Sequence, residues 1–548
     1  MKTLTADLSF TIPAGGFIPF WAAGEVRGAE EEIRRLTEEG IRKMPGTLVI
    51  KENRHRVIFR AKLPFVKAPV LVKSFRYPSF RRRLKALFAP YAVQELKHAA
   101  MALERGIPVP MPLFLVQRRR GAAVTESLLG YRYLEGSPLL AYFFVKGALP
   151  YVKRLQLVRS AGRFTAFLHN CGVIHRDYHA GNLLVLKDET VALIDLYPVK
   201  FVKELRERDR IEGLASLIAS LAPVVGRAGI DELLDGYREK STVYLGMEAE
   251  DRAMKRQEAL RGRHEASRAR RCMKNSTEFY QARVFNARIA ARREIPVDEI
   301  RSLLKTLDQK YKNHPERALK NAPESVIFKL ESMEGSLCVK WYRKRGRMDR
   351  VKELLRGGRA LRAWKAGNGL LARGIPVARP LAMARTARGG FLFMELAEGA
   401  ELDRMLSRMV KVGGTENWRM LCRLADTVGA FFGTLHRKGV FHADLKACNI
   451  MVREEGNKFL MKLLDYDNVR FHGNLSMKKA LKNLVQLNLS IPVEISRSLR
   501  LRFLKAYKGN FPGAPRAREL FKEVWEASRG KNIVYVTNEG DRRTSWRS

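Results

Sequence analysis

Two halves of this 548-residue chain carry the same landmarks in the same order, and that repeat limits the fold more than any other feature. Leu168-His169 recurs as Leu435-His436, Gly172 as Gly439, Asp177 as Asp444 and Lys73 as Lys340, each 267 residues further on. The Gly-Ile-Pro-Val that begins at Gly106 returns at Gly374, an offset of 268, and Asp195 returns as Asp465, an offset of 270. Six landmarks held in register within three residues exclude chance and call for one domain built twice. The boundaries expected are 1–245 for the first copy, 246–285 for a basic helical bridge, 286–520 for the second copy and 521–548 for a C-terminal tail.

Periodicity changes in the same way inside each copy. Short β-like runs come first, at Thr47–Ile50, Arg56–Arg60 and Val70–Phe75 in copy one and at Ser325–Leu330 and Leu337–Tyr342 in copy two. A helix follows over Tyr91–Arg105, where Ala92, Leu96, Ala99 and Leu103 share one apolar face, and Gly106 and Pro108 stop it. The second half of each copy is mainly helical. A small strand-rich lobe before a larger helical one is an α+β pattern.

The polar residues of copy one form a constellation with a mechanism. His175-Arg176-Asp177 is followed by Asn182 five residues after the aspartate and by the apolar run Val191–Ile194 that ends in Asp195. In phosphoryl transfer one aspartate accepts the proton of the attacking hydroxyl, an asparagine on the same loop holds a metal, and a second aspartate at a strand end bridges metal to phosphates. Asp177, Asn182 and Asp195 fit those roles in order, and Asp444, Asn449 and Asp465 repeat them. Ordinary loop polars are the bland alternative, and it must explain three correct spacings at once.

Lys73 ends the apolar run Pro69-Val70-Leu71-Val72, where an inward ammonium needs an anion, and ATP phosphates supply one. Glu95 on the following helix is placed to pair with Lys73 and orient it. The competing reading of Lys73 is an edge-strand lysine that discourages aggregation. His175 and His442 are expected to brace their loops through hydrogen bonds.

Gly172-Val-Ile-His-Arg-Asp177, Gly106-Ile-Pro-Val-Pro110 and Ile194-Asp195-Leu196 resemble the lipopolysaccharide kinase (Kdo/WaaP) family within the protein-kinase-like superfamily. Copy two resembles it as well, in Gly439-Val-Phe-His-Ala-Asp444-Leu-Lys-Ala-Cys-Asn449, Leu464-Asp465-Tyr466-Asp467 and Gly374-Ile-Pro-Val-Ala-Arg-Pro-Leu381. The resemblance implies tandem protein-kinase-like bilobal domains that use ATP and Mg2+, with Mn2+ as an alternative. It implies phosphorylation of a sugar hydroxyl, on Kdo or heptose, in the inner core of lipopolysaccharide at the cytoplasmic face of the inner membrane.

The two copies depart from the pattern differently. Neither has a G-x-G-x-x-G over the first hairpin, where copy one offers Lys51–His55 and copy two Met333-Glu-Gly335-Ser336. The counterpart of Glu95 falls at Arg362 or Ala363, with Glu353 the nearest acid, so Lys340 lacks a helix partner. Conversely, copy two has Lys446 two residues after its aspartate, where protein kinases place a lysine against the transferred phosphate, and copy one has His179. Glu126 and Glu395 are read as lying at the connection between lobes.

Composition narrows the partners. Lys and Arg exceed Asp and Glu by 102 to 57, a net +45 that points to something acidic: lipopolysaccharide core or another acidic glycolipid, an anionic membrane surface, or nucleic acid. The densest basic run, Arg252 to Arg271, is either a solvated helix face or an anion-docking surface. Five widely spaced cysteines without a C-x-x-C favour a reducing compartment, so the expected location is cytoplasmic, with peripheral attachment to the inner face of the inner membrane left open. Two other functions share these residues. A protein Ser/Thr kinase uses the same catalytic set, and a nucleic-acid-binding protein on a degenerate kinase scaffold would suit the charge, although no RNA-stacking or DNA-reading motif is present.

Overall fold

The computed structural model describes residues 18–53, 55–77, 86, 90–120, 123–144, 149–311, 318–332, 335–343, 358–386, 389–537 and 539–546. The chain divides into two compact units, Met1–Arg261 and Gly262–Ser548. Glu353, Met333 and Glu334 lie outside the described residues.

The first unit opens with a six-stranded antiparallel sheet in the order Phe20–Ala22, Pro112–Arg120, Ala123–Arg132, Val70–Arg76, Arg56–Ala61, Leu48–Glu52. Alternation in Arg56–Ala61 sends Val57, Phe59 and Ala61 into a small core with Ile33 and Ile41, while Arg56, Ile58 and Arg60 take the other face. Lys73 stands directly opposite Ile58 across the ladder, so Lys73 and Arg56 share that second face. The helix Tyr91–Glu104 packs Leu96 and Ala99 against it and ends at Gly106, whose φ of +67° is the left-handed geometry that stops a helix.

The second unit repeats the sheet with one strand more: Phe279–Val284, Ala287–Arg292, Pro380–Thr386, Gly389–Glu395, Gly335–Arg343, Ser325–Ser332, Lys320–Ala322. Lys340 stands opposite Ile327 as Lys73 does opposite Ile58. Its helix is Arg359–Ala372, offset from Tyr91–Glu104 by 268 residues at both ends, which sets Ala363 in place of Glu95. The expected boundaries need correction at the second unit's edges. A break at 286 falls in the turn of the hairpin that pairs Phe279–Val284 with Ala287–Arg292, and a tail from 521 would cut the helix Ala517–Ser528, whose Val524 is in the unit's core. The basic bridge is helical over Met247–Arg270.

The helical lobes show one scheme at two levels of continuity. In the first unit Tyr151–Asn170 packs along Glu207–Lys240, which is broken at Gly226 (φ +64°). By length and apolar content Glu207–Lys240 is the one described helix that could cross a membrane, but it is built into this lobe. The two helices approach so closely that a Cβ on Gly162 would sit 2.1 Å from the Leu233 carbonyl oxygen and one on Gly236 would sit 2.1 Å from that of Arg159. In the second unit Thr415–Arg437 packs on Arg497–Asn510 in the same manner, and the counterpart of the broken helix is two helices, Met477–Asn488 and Arg497–Asn510.

Each helix pair buries a histidine against a tyrosine hydroxyl: His169 Nδ1 lies 2.9 Å from Tyr237 Oη and His436 Nδ1 lies 2.7 Å from Tyr507 Oη. Burial pushes the His169 pKa down to about 3 and the His436 pKa down to about 4. An unfolded histidine titrates near 6.5, so below that pH the unfolded chain takes up protons that the folded chain refuses. The stability contributed by these neutral histidines is therefore complete above about pH 6.5 and is lost as pH falls towards their folded values. We expect urea midpoints to drop steadily from pH 7 to pH 4.5. His436→Gln should flatten the profile of the second unit by about one proton, or ~1.4 kcal/mol per pH unit.

Candidate active site

Folding of the first unit brings Lys73, Glu95, Asp177, Asn182 and Asp195 into one cleft constellation. Lys73 donates to Glu95, and both side chains are buried, the glutamate completely. A strand lysine and a helix glutamate thus meet where neither could be buried alone. Asp195 adopts φ +63°, a left-handed backbone rare for a residue with a side chain. Burial pushes its pKa up, but the charges of Lys73 and Arg56 outweigh burial and hold the carboxylate below the ordinary aspartate value.

A histidine ties the Asp177 loop to Asp195. The Asp177 backbone N–H donates to His175 Nδ1 at 3.2 Å, which leaves the Nε2 hydrogen to donate to the Asp195 carbonyl at 3.1 Å. Burial holds the His175 pKa below its ordinary value, in keeping with this neutral tautomer. Asn182 donates from Nδ2 to the Asp177 carbonyl at 2.9 Å, and its own backbone carbonyl accepts from Ile194 N–H at 2.9 Å. Loop and strand end are thereby fixed to each other, while the Asp177 carboxylate stays 69% exposed.

The second unit repeats this wiring. The Asp444 N–H donates to His442 Nδ1 at 3.2 Å, His442 Nε2 donates to the Asp465 carbonyl, and Asn449 Nδ2 donates to the Asp444 carbonyl at 3.1 Å. Lys340 is as buried as Lys73, yet with no glutamate on its helix it pairs with Asp465 Oδ1 at 2.8 Å. Lys446 Nζ stands 2.9 Å from Asp444 Oδ1, where the first unit has His179 Nε2 at 3.8 Å from Asp177 Oδ2.

Three features escaped sequence reasoning. Arg56 reaches Asp195 with both guanidinium ends, at 3.2 and 3.4 Å, and the strand register alone would have placed it on the lysine face. Arg359, the first residue of its helix, donates from Nε to Asp467 Oδ2 at 2.8 Å, and Asp467 is buried. Tyr91 and Tyr197, which the 268 and 270 offsets equate with Arg359 and Asp467, meet edge to face at 4.7 Å between centroids. The same two positions thus join helix to catalytic segment in both units, by aromatic contact in one and by an ion pair in the other. Asp465 and Asp467 titrate in opposite directions. Burial raises both, but Lys340 holds Asp465 ionised, while the neighbouring Asp465 charge adds to burial in lifting Asp467.

The placement of Glu126 needs correction. Leu129 lies opposite Lys73 and Leu392 opposite Lys340, so Glu395, three residues past Leu392, is level with Arg132. Glu126 lies three residues before Leu129, at the other end of its strand, where it accepts from Glu38 N–H and Arg118.

Among the described residues no cluster of three or more His, Cys, Asp or Glu side chains gathers, and the sequence-predicted donors of each copy are an asparagine amide oxygen and an aspartate carboxylate. With one Asn182 Nδ2 hydrogen donated to the Asp177 carbonyl, the amide oxygen remains as the metal donor. One carboxylate and one amide oxygen fit Mg2+, which keeps several waters and completes its shell with substrate phosphates.

A family model described as the lipopolysaccharide kinase (Kdo/WaaP) family matches residues 80–237 and 321–507, more than half of the chain and a segment of each copy. The inhibitor of nuclear factor kappa-B kinase subunit alpha of Gallus gallus is 32% identical over 74 residues, 14% of this chain. The chain spans 10% of the length of that curated relative. Among solved structures, WaaP in complex with acyl carrier protein is similar at 20% identity and a TM-score of 0.30, over 39% of this chain and 87% of that one.

Because Glu95 has no access to water, Lys73→Met should leave an uncompensated charge and cost about 3–5 kcal/mol, while Lys73→Met with Glu95→Leu should recover most of it. Lys340→Met should cost less, since the Asp465 side chain remains 35% exposed to water. Urea denaturation of the four proteins reads the ranking directly.

Proposed function

From the premise that this chain belongs to the lipopolysaccharide kinase (Kdo/WaaP) family in both of its halves, we propose that it transfers the γ-phosphoryl group of ATP to a sugar hydroxyl, on Kdo or heptose, of the lipopolysaccharide inner core. The observation that carries this reading is the histidine link built twice, His175 joining Asp177 to Asp195 and His442 joining Asp444 to Asp465, which presets a proton acceptor against a metal-binding carboxylate.

In each copy the strand lysine, Lys73 or Lys340, takes the non-transferred phosphates, and Glu95 orients Lys73. Asn182 with Asp195, and Asn449 with Asp465, hold Mg2+ or Mn2+. When bound, the metal neutralises charge on the phosphates and holds them in line. Asp177 and Asp444, exposed at the cleft mouth, accept the proton of the sugar hydroxyl as its oxygen attacks. Lys446 stands beside Asp444 to meet the transferred group. Arg56 lies on Asp195 and Lys340 on Asp465, so each cation would have to yield part of that carboxylate for it to serve as a metal ligand.

Asp195→Ala combined with Asp465→Ala is expected to abolish transfer from labelled ATP to sugar-lipid acceptors with the circular dichroism spectrum unchanged. Normal transfer by that variant overturns the kinase reading. Label appearing on protein acceptors and not on sugar-lipid would replace it with a protein kinase. Copy one, with its lysine held by Glu95, is expected to supply most of the activity. Asp177→Ala should then cost about tenfold to a thousandfold more in rate than Asp444→Ala on the same acceptor, roughly 1.4 to 4 kcal/mol of barrier.

The acceptor is a membrane glycolipid, and the net charge of +45 suits work at an anionic surface in the cytoplasm. On Met247–Arg270, Arg252 and Arg256 are engaged by Glu207 and Glu212. We expect cosedimentation with anionic liposomes at low salt, released at high salt and absent on neutral vesicles. Equal binding to neutral vesicles would exclude an electrostatic attachment.

A further inference from the structure

We propose that Arg56 binds the β- and γ-phosphates of the nucleotide in copy one and does there the work that a glycine-rich loop does elsewhere and that Lys446 shares in copy two. The inference rests on the kinase reading of copy one and adds a phosphate contact that the catalytic set does not contain.

Three observations carry it. First, strand register fixes where Arg56 can act. It lies two residues from Ile58, which is paired with Lys73, so the arginine and the ATP lysine are on one face of the sheet. Second, its guanidinium is already gathered into the cleft, with both ends on the Asp195 carboxylate at 3.2 and 3.4 Å. A fork that grips a carboxylate with two N–H groups matches a phosphate equally well. Third, the copies exchange cations. By the same register copy two has Ser325 where copy one has Arg56, and copy one has His179 where copy two has Lys446. Each cleft therefore holds a strand lysine and a second cation, supplied from the sheet in copy one and from the catalytic loop in copy two.

The hairpin that carries Arg56 also explains why the backbone is a poor phosphate cradle. The turn residue Asn53 accepts from the N–H groups of His55 at 2.8 Å and Arg56 at 2.9 Å through its own Oδ1, so two amides that a glycine loop would offer to phosphate are already engaged. A side chain must supply the missing donors. Arg56 lies on the correct face, and its guanidinium would turn from the Asp195 carboxylate to the phosphates.

The test uses the full chain with copy two silenced by Lys340→Ala and Asp465→Ala, and measures equilibrium affinity for MgATP, MgADP and adenosine by calorimetry. Arg56→Met should weaken MgATP about 10- to 100-fold and MgADP less, with adenosine unchanged, and Arg56→Lys should recover part of the loss. Unchanged adenosine binding also certifies that the variant is folded. Tighter MgATP binding by Arg56→Met would show that the arginine only competes with metal for Asp195, and unchanged binding would show that it does neither. Either result overturns the proposal while leaving the kinase reading in place. Absence of MgATP binding in the background that keeps Arg56 would instead remove copy one as a nucleotide site, and this role with it.

Discussion

A lysine ammonium buried in the middle of each sheet is the constraint to which the rest of both units answers. Lys73 and Lys340 are each only 6% exposed, on strands whose neighbours are apolar. An unpaired ammonium there would cost several kcal/mol, so the fold must deliver a carboxylate to each. In copy one the carboxylate comes from the helix, as Glu95, and Asp195 is left to Arg56. In copy two the helix offers Ala363, and the carboxylate comes from the catalytic segment, as Asp465. The carboxylate that meets the strand lysine thus comes from the helix in one copy and from the segment of Asp465 in the other.

The redistribution has a mechanical consequence. A lysine–glutamate pair also pins the helix to the sheet, and a copy that lacks it needs another tie. Arg359 and Asp467 supply one in copy two, from the first turn of the helix to the second residue after Asp465. The same positions in copy one, Tyr91 and Tyr197, touch edge to face. An aromatic contact is indifferent to salt and pH, whereas the pair of Arg359 with the buried Asp467 is favourable only while Asp467 is ionised, against the pull of burial and Asp465 on its proton. The two copies are therefore alike in architecture and unlike in what holds their helices in place.

Much of this was legible in the residues. The 267-residue repeat fixed the number of copies, and the shift from period two to helical spacing separated sheet from helical lobe in each. That Asp177, Asn182 and Asp195 come together was legible because they are close in sequence and their spacing reflects one loop and one strand end. The contacts that were not legible join distant positions: Arg56 lies 139 residues from Asp195 and Arg359 lies 108 from Asp467. Nothing local marks an arginine at a strand start as a cleft residue. Glu126 was misplaced for the opposite reason, since a glutamate after an apolar run looks the same at either end of a strand until register is known.

Duplication explains how such differences could be kept. A cleft that must neutralise the phosphates of ATP needs its cations at the correct distance from the phosphates, whichever element provides them. Once two copies share a chain, the sheet of one and the loop of the other can each carry the second cation, provided the carboxylates move to match. Arg56 with Asp195 and Lys446 with Asp444 are the two solutions: each second cation stands against an acid of its own catalytic set. They differ in which acid the cation covers, the aspartate at the strand end in copy one and the aspartate of the loop in copy two. Under the proposed roles nucleotide would have to uncover Asp195 in the first copy and Asp444 in the second, so the copies would differ in the step that binding has to prepare.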